Sequence, residues 1–331
     1  MPGGIGRRQF VALLGGGGVA AWPLAARGQQ AAMPVIGFLH GASSEGYKPM
    51  VASFRQGLKE AGYVDGHNVA IEFSWAEGQY DRLPAMAADL ARRQVAVIVT
   101  GGTPAAFAAK AATSTIPTVI LVGVDPVQLG LVGSLSRPGG NVTGLAVLTV
   151  QLEAKKLELL HELLPTATAI ALLVNPTNVL TESETKDMQD AVRSLGLHLH
   201  ILNASTESQI DAAFGALAEL RATALIVSVD TFLNNSRDQI VALAARYAVP
   251  AVYGFRDFVN AGGLMSYGTD LVDVYRQQGI YAGKILSGAR PADLPIQQVT
   301  KVTFVINLKT AKTLGLTFPT TLLGRADEVI E

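Results

Sequence analysis

The sequence predicts an α/β protein of two similar lobes, each built on a parallel sheet. Three observations lead there. Short apolar runs alternate with longer segments of helical period from residue 33 onward, which is the pattern of βαβ units. The alternation is interrupted once, at Arg137-Pro138-Gly139-Gly140-Asn141, and then resumes. The two runs also share spacing: the interval from the helix stop Gly62 to Pro117 matches that from Gly196 to Pro250 to within one residue.

In chain order, the first run reads as strand 35–39, helix 47–61, strand 69–73, helix 82–93, strand 95–99, helix 104–113 and strand 118–122. Gly62, directly after the second of these, is an ordinary helix stop. The breaker cluster at 137–141 ends the first lobe. The second run reads as helix 152–163, strand 169–174, helix 182–195, strand 197–202, helix 208–220, strand 224–227, helix 236–247 and strand 251–253. The tail offers strand 263–267, helix 272–286, strand 299–306 and a short helix 308–314. These elements are too few for a third core, so they are expected to be shared between the lobes, with several crossings and a hinge at a cleft. The expected division is a leader at 1–28, a first lobe at 33–144 plus 268–293, and a second lobe at 145–267 plus 296–331.

Composition narrows the function. Of 331 residues, 49% are hydrophobic and 16% charged, which is too apolar for a disordered chain. Lys plus Arg number 26 against 27 acids, and no basic run exists to track a phosphate backbone, so no nucleic-acid partner is expected. The absence of cysteine removes disulfides, thiolate metal sites, a cysteine nucleophile and a lipid-modified amino-terminal cysteine. Arg7-Arg8-Gln9-Phe10, an apolar glycine-rich stretch at 11–24 and Ala26-Arg27-Gly28 read as an export leader, cut to begin the mature chain near Gln29. The apolar stretch is shorter than the roughly 20 residues that span a bilayer, and the paired arginines fit the twin-arginine route. A periplasmic location follows as an expectation.

In open parallel sheets, ligands bind beyond the carboxyl ends of the strands. Thr103-Pro104, Asp125-Pro126 and Asn175-Pro176 each follow a strand, and each reads as a capped helix start whose free N–H groups suit a carboxylate or another small anion. Gly102, ahead of Thr103, lets the backbone approach a ligand. Ser43, Ser44, Thr143, Asp230 and Tyr253 also stand at strand ends. Asp125 or Asp230 is placed to receive a ligand ammonium, the hydroxyls to fix polar groups, and Tyr253 to cover an apolar or planar part. Asp230 competes as a helix cap and Tyr253 as a core residue. No catalytic motif is present: G-x-S-x-G, G-x-x-x-x-G-K, H-E-x-x-H and G-x-G-x-x-G after a strand are all missing. His198 and His200 share a strand face without an acidic cluster beside them, so no metal is expected. Glu153 with Glu158, and Glu182 with Glu184, are expected on solvated helix faces.

Five segments carry a family resemblance: FRQGLKEAGY at 54–63 with Asn68-Val69, WAEG at 75–78, RPGGNVTG at 137–144, AGGLMSYG at 261–268 and INLKTA at 306–311. From about residue 33 to the carboxyl terminus the chain resembles the periplasmic substrate-binding components of ABC transporters of the tryptophan/tyrosine type. The resemblance implies a type I periplasmic-binding-protein fold of two Rossmann-like lobes with three crossovers, and a ligand held between the lobes. It also implies that some relatives bind aromatic amino acids. The expected protein is a non-enzymatic monomer without a cofactor, which captures a small polar solute and presents its closed form to an ABC permease and its ATPase at the inner membrane. An amino acid or related carboxylate is the expected solute. A sensor of the same fold, passing its closed state to a receptor, is the alternative.

Overall fold

A six-stranded and a seven-stranded sheet organise the chain, and the computed structural model describes residues 33–147 and 149–331. The export leader and the mature start near Gln29 lie outside the described residues. No helix among the described residues is long and apolar enough to cross a membrane.

The first lobe takes strands β1 (Val35–His40), β2 (Ala70–Trp75), β3 (Val97–Gly101), β4 (Thr118–Val122) and β5 (Val142–Ala146), with helices α1 (Lys48–Glu60), α2 (Leu83–Arg92) and α3 (Thr103–Ala112). The second takes α4 (Glu153–Leu163), β6 (Ala169–Val174), α5 (Thr181–Ser194), β7 (His198–Asn203), α6 (Glu207–Glu219), β8 (Ala224–Val227), α7 (Thr231–Asn235), α8 (Arg237–Arg246), β9 (Ala251–Tyr253), α9 (Arg256–Asn260) and β10 (Met265–Gly268). The chain then returns to the first lobe with α10 (Leu271–Leu286) and β11 (Gln297–Gln298), and crosses once more to β12 (Thr303–Asn307), α11 (Leu308–Thr313), α12 (Thr320–Leu323) and β13 (Glu328–Ile330). Strand orders are β11-β5-β4-β3-β1-β2 and β13-β12-β10-β9-β8-β6-β7. Every pairing is parallel except β10 with β12. Three crossings therefore join the lobes, after β5, β10 and β11.

Burial explains why the strands read as unbroken apolar runs. Strands β3, β4, β6 and β8 are buried along their whole length, as expected when helices cover both faces of a parallel sheet. α10 lies against α1 at backbone distance, because Gly57 and Gly279 face each other. A Cβ on Gly57 would collide with the carbonyl oxygen of Arg276, and one on Gly279 with that of Phe54. This contact fixes where α10, and Tyr275 on it, meets the first sheet.

Two expected boundaries shift. Position 144 falls inside β5, since Val142 to Ala146 pair with Thr118 to Val122, so the first lobe extends to Ala146. Gln297 and Gln298 pair with Leu145 and Ala146 in the first sheet, so the 299–306 strand is preceded by an edge strand of the opposite lobe.

Candidate ligand-binding cleft

Parallel strands bring their carboxyl ends to one edge of each sheet, and here those edges face each other. The ends of β1, β3 and β4 and the face of α10 form one wall. The other is made by the segments after β6, β8 and β9, with Val147 and Thr149 of the first crossing at the side. Between them lies a narrow cavity with an empty volume of about 530 Å³ including its mouth. Leu121, Val122, Leu180, Val229 and Phe255 give it apolar walls, and Thr103, Thr149, Asn178, Asp230 and Tyr275 supply the polar groups.

Of the residues chosen from sequence, Gly102, Thr103 and Asp230 line this cavity. Gly102 has φ +91°, and a Cβ there would come within 2.8 Å of Thr231 Cγ2 on the opposite wall. A glycine is needed for both reasons. Thr103 is the first helical residue of α3 and not its cap. Its hydroxyl makes no capping bond and accepts the Gly123 N–H at 3.2 Å, tying α3 to the end of β4.

Asp230 caps α7, with Oδ1 accepting Phe232 N–H at 2.9 Å, Leu233 N–H at 3.0 Å and Asn175 Nδ2 at 3.2 Å. Its Oδ2 accepts the Tyr80 hydroxyl at 2.7 Å and Asn178 Nδ2 at 2.9 Å. Five donors meet a carboxylate with about four lone-pair sites, so no room remains for the ligand ammonium expected there. Asp230 organises the wall. Asn175 supports it from below, and its own Oδ1 accepts from Thr177.

The other expected residues stand apart from the cavity. Tyr253 is a core residue, 1% exposed and stacked on Phe258 with ring centroids 4.5 Å apart. Burial of its phenol raises its pKa. Thr143 is buried in β5 and donates to the Leu294 carbonyl at 2.7 Å. Asp125 accepts Val127 N–H at 2.8 Å within a turn, and no helix follows Pro126; nor does one directly follow Pro176, where a turn runs to α5. Ser44 is exposed, while Ser43 donates to Asn235 Oδ1 at 2.6 Å across the lobes. Glu153 and Glu184, expected in solvent, are buried together. Glu153 is ion-paired with the fully buried Lys156, and Ser228 donates to Glu184 at 2.6 Å. Among the described residues no group of three or more His, Asp or Glu could hold a metal.

Sequence reasoning missed the aromatic residues. Tyr47 and Tyr275 line the cavity, and Tyr80 reaches across to Asp230 and Thr231. Asn234 Nδ2 donates to Tyr47 at 2.9 Å, and His40 Nε2 lies 2.8 Å from the Tyr275 hydroxyl. Burial holds the Tyr47, Tyr80 and Tyr275 pKa values above the ordinary tyrosine range and lowers His40 to about 3, so these groups are uncharged.

Residues 35–330 match the family described as ABC transporter substrate binding protein. The chain belongs to that family. Family members bind a substrate and do not transform it, so the chain is not an enzyme, and they work outside the cytoplasm. The fold is that of type I periplasmic binding proteins. A tyrosine-binding protein of Clostridioides difficile is 28% identical over 264 residues, covering 80% of this chain and 75% of that protein. A Streptococcus domain solved in complex with L-Trp is 26% identical, with a TM-score of 0.77, covering 89% of this chain and 100% of that one. A ligand-free, open substrate-binding protein with adhesive properties from Clostridium difficile is 25% identical, with a TM-score of 0.61, covering 90% of this chain and 99% of that one. At near-equal identity and coverage, this family member follows the ligand complex more closely than the open form. The direct bonds between its lobes from Ser43, Tyr47 and Tyr80 agree with a closed arrangement.

Proposed function

We propose that this family member is the solute-capturing component of an ABC importer, working as a periplasmic monomer that presents its closed form to a permease and its ATPase. The proposed solute is an amino acid or related carboxylate, with aromatic amino acids foremost. The cavity supports this reading: it combines apolar walls with hydroxyl and N–H donors, and both lobes contribute to it. Contacts from both lobes allow a ligand to favour the closed state. Moving a 1:99 population to 99:1 requires about 5.5 kcal/mol of differential binding. The relatives that bind tyrosine and L-Trp lend weight to the aromatic class. Residues 1–28 fit delivery by the twin-arginine route.

Titration calorimetry of the exported protein tests the reading, with L-tryptophan, L-tyrosine, aliphatic amino acids, sugars and nucleosides as ligands. Saturable binding of an amino acid, with radiolabelled uptake lost when the gene is deleted, is the expected result. Binding of sugars or nucleosides alone would overturn the ligand class, and binding without any effect on uptake would favour a sensor.

A further inference from the structure

The hydrogen directions on the first-lobe wall follow from two backbone amides. Ala42 N–H donates to His40 Nδ1 at 3.0 Å, so that nitrogen carries no proton. The ring is wholly buried and neutral, which leaves the proton on Nε2, directed at the Tyr275 hydroxyl oxygen 2.8 Å away. Tyr275 therefore accepts from His40 and keeps its own proton, for which no acceptor exists among the described residues. Thr103 is in the same state: its oxygen accepts the Gly123 N–H, and its proton has no acceptor among the described residues. Both hydroxyls belong to residues that are at least 96% buried and line the cavity. Among the described residues no Lys or Arg lines it, and the one acidic side chain that does, Asp230, is already saturated by donors.

We infer that Tyr275 and Thr103 form a hydroxyl-donor subsite that takes the carboxylate of the ligand, and that His40 is a positioning residue which turns the Tyr275 proton into the cavity. The inference rests on the reading of the cavity as an amino-acid site and adds which end of the ligand lies on the first lobe and why. A hydroxyl that already accepts one N–H but has no acceptor for its own proton gains more from a ligand oxygen, which pairs that proton, than from a ligand N–H, which leaves it unpaired. Such a wall prefers an oxygen anion to an amide, whose nitrogen end brings donors, and rejects a ligand that lacks the carboxylate. Gly101 is part of the device, because a Cβ there would occupy the space of the His40 ring.

The test is calorimetry on the exported protein with L-tryptophan, L-tryptophanamide and tryptamine, and with L-tyrosine, tyrosinamide and tyramine. The unaltered protein is expected to bind the acid at least tenfold more tightly than its amide. Tyr275→Phe keeps the ring and is expected to lose about tenfold to a hundredfold in affinity for the acid, with a smaller loss for the amide, as befits a hydrogen bond to a charged group. His40→Phe should compress the acid-to-amide ratio as Tyr275→Phe does, and the double variant should compress it no further. Because His40→Phe also strips Ala42 N–H of its acceptor, nitrogen-15 NMR of the unaltered protein gives an independent readout, in which His40 should be the Nε2–H tautomer. An Nδ1–H tautomer, equal binding of acid and amide, or an unchanged acid affinity in Tyr275→Phe overturns the subsite while leaving amino-acid capture standing. If no amino acid binds the unaltered protein at all, the proposed function falls and the subsite with it.

Discussion

Tyr80 of the first lobe donates its hydroxyl to Asp230 of the second at 2.7 Å, in a site where both side chains are more than 90% buried. The two residues come from opposite lobes, so opening the cleft would separate them and leave the hydroxyl to water. Asp230 keeps four other donors without it, so the bond contributes to closure and little to the stability of either lobe.

Tyr80→Phe is accordingly expected to shift the ligand-free protein toward the open form and to weaken ligand binding by about 1.5–3 kcal/mol, the usual worth of a hydrogen bond to a charged group. Small-angle scattering reads the first effect and calorimetry the second. Unchanged scattering and affinity together would show that Tyr80 is no latch. Asp230→Ala should behave differently: it strands Asn175, Asn178 and two N–H groups inside the second lobe, so thermal stability should fall along with affinity.

Gly102→Ala probes the same closure from the opposite side. An L side chain at φ +91° and ψ 159° is strained by about 1–3 kcal/mol, and its Cβ would meet Thr231 Cγ2 at 2.8 Å when the lobes close. Affinity should drop more than stability does. Thr231→Ser removes the opposing methyl and keeps the hydroxyl beside Tyr80, so the double variant should recover part of the lost affinity. Absence of recovery would place the defect in backbone strain alone.

The contact between Gly57 and Gly279 gives a prediction in which two effects oppose each other. Replacing a helical glycine by alanine normally stabilises by about 1 kcal/mol. In Gly57→Ala, collision with the Arg276 carbonyl forces α1 away from α10, an overpacking cost of about 1–3 kcal/mol that is not relieved by rotating a side chain. Net destabilisation in urea is expected, with weakened ligand binding as Tyr275 moves with α10. A gain in stability would show that the helices are not in backbone contact.

The sequence made the two sheets legible because β3, β4, β6 and β8 are buried on both faces and therefore read as unbroken apolar runs. β5 was hidden: Gly144 sits at φ +140° in its middle, where a Cβ would strike Ile120, and the breaker cluster precedes it. The strand-end rule led to Gly102, Thr103 and Asp230, but it has no access to Tyr275, which comes to the wall on a helix returning from the other lobe. Nor could a capping pattern reveal that Thr103 and Asp230 spend their oxygens on protein donors. Glu153 and Glu184 looked solvated because an acidic residue on a helix usually is. Their burial goes with partners outside the local pattern: the fully buried Lys156, three residues along α4, pairs with Glu153, and Ser228 donates to Glu184.

That buried group sets a pH dependence. Burial, with Glu153 as a neighbouring like charge, pushes Glu184 up to about 8, while in the unfolded chain it returns to about 4.5. Between those values the folded state holds a proton that the unfolded state has released, so stability declines as pH rises, by at most about 1.4 kcal/mol per pH unit for one proton. The contribution is complete below about 4.5 and gone above about 8. Glu184→Gln keeps an oxygen for Ser228 and carries no titrating proton, so its unfolding free energy should vary less between pH 5 and pH 8, measured by urea unfolding across about that window. Lys156→Met leaves Glu153 without its partner and should cost about 3–5 kcal/mol at neutral pH, with the loss shrinking in acid as Glu153 takes up a proton. If both variants track the unaltered protein across the range, the three side chains are solvated and not buried as a unit.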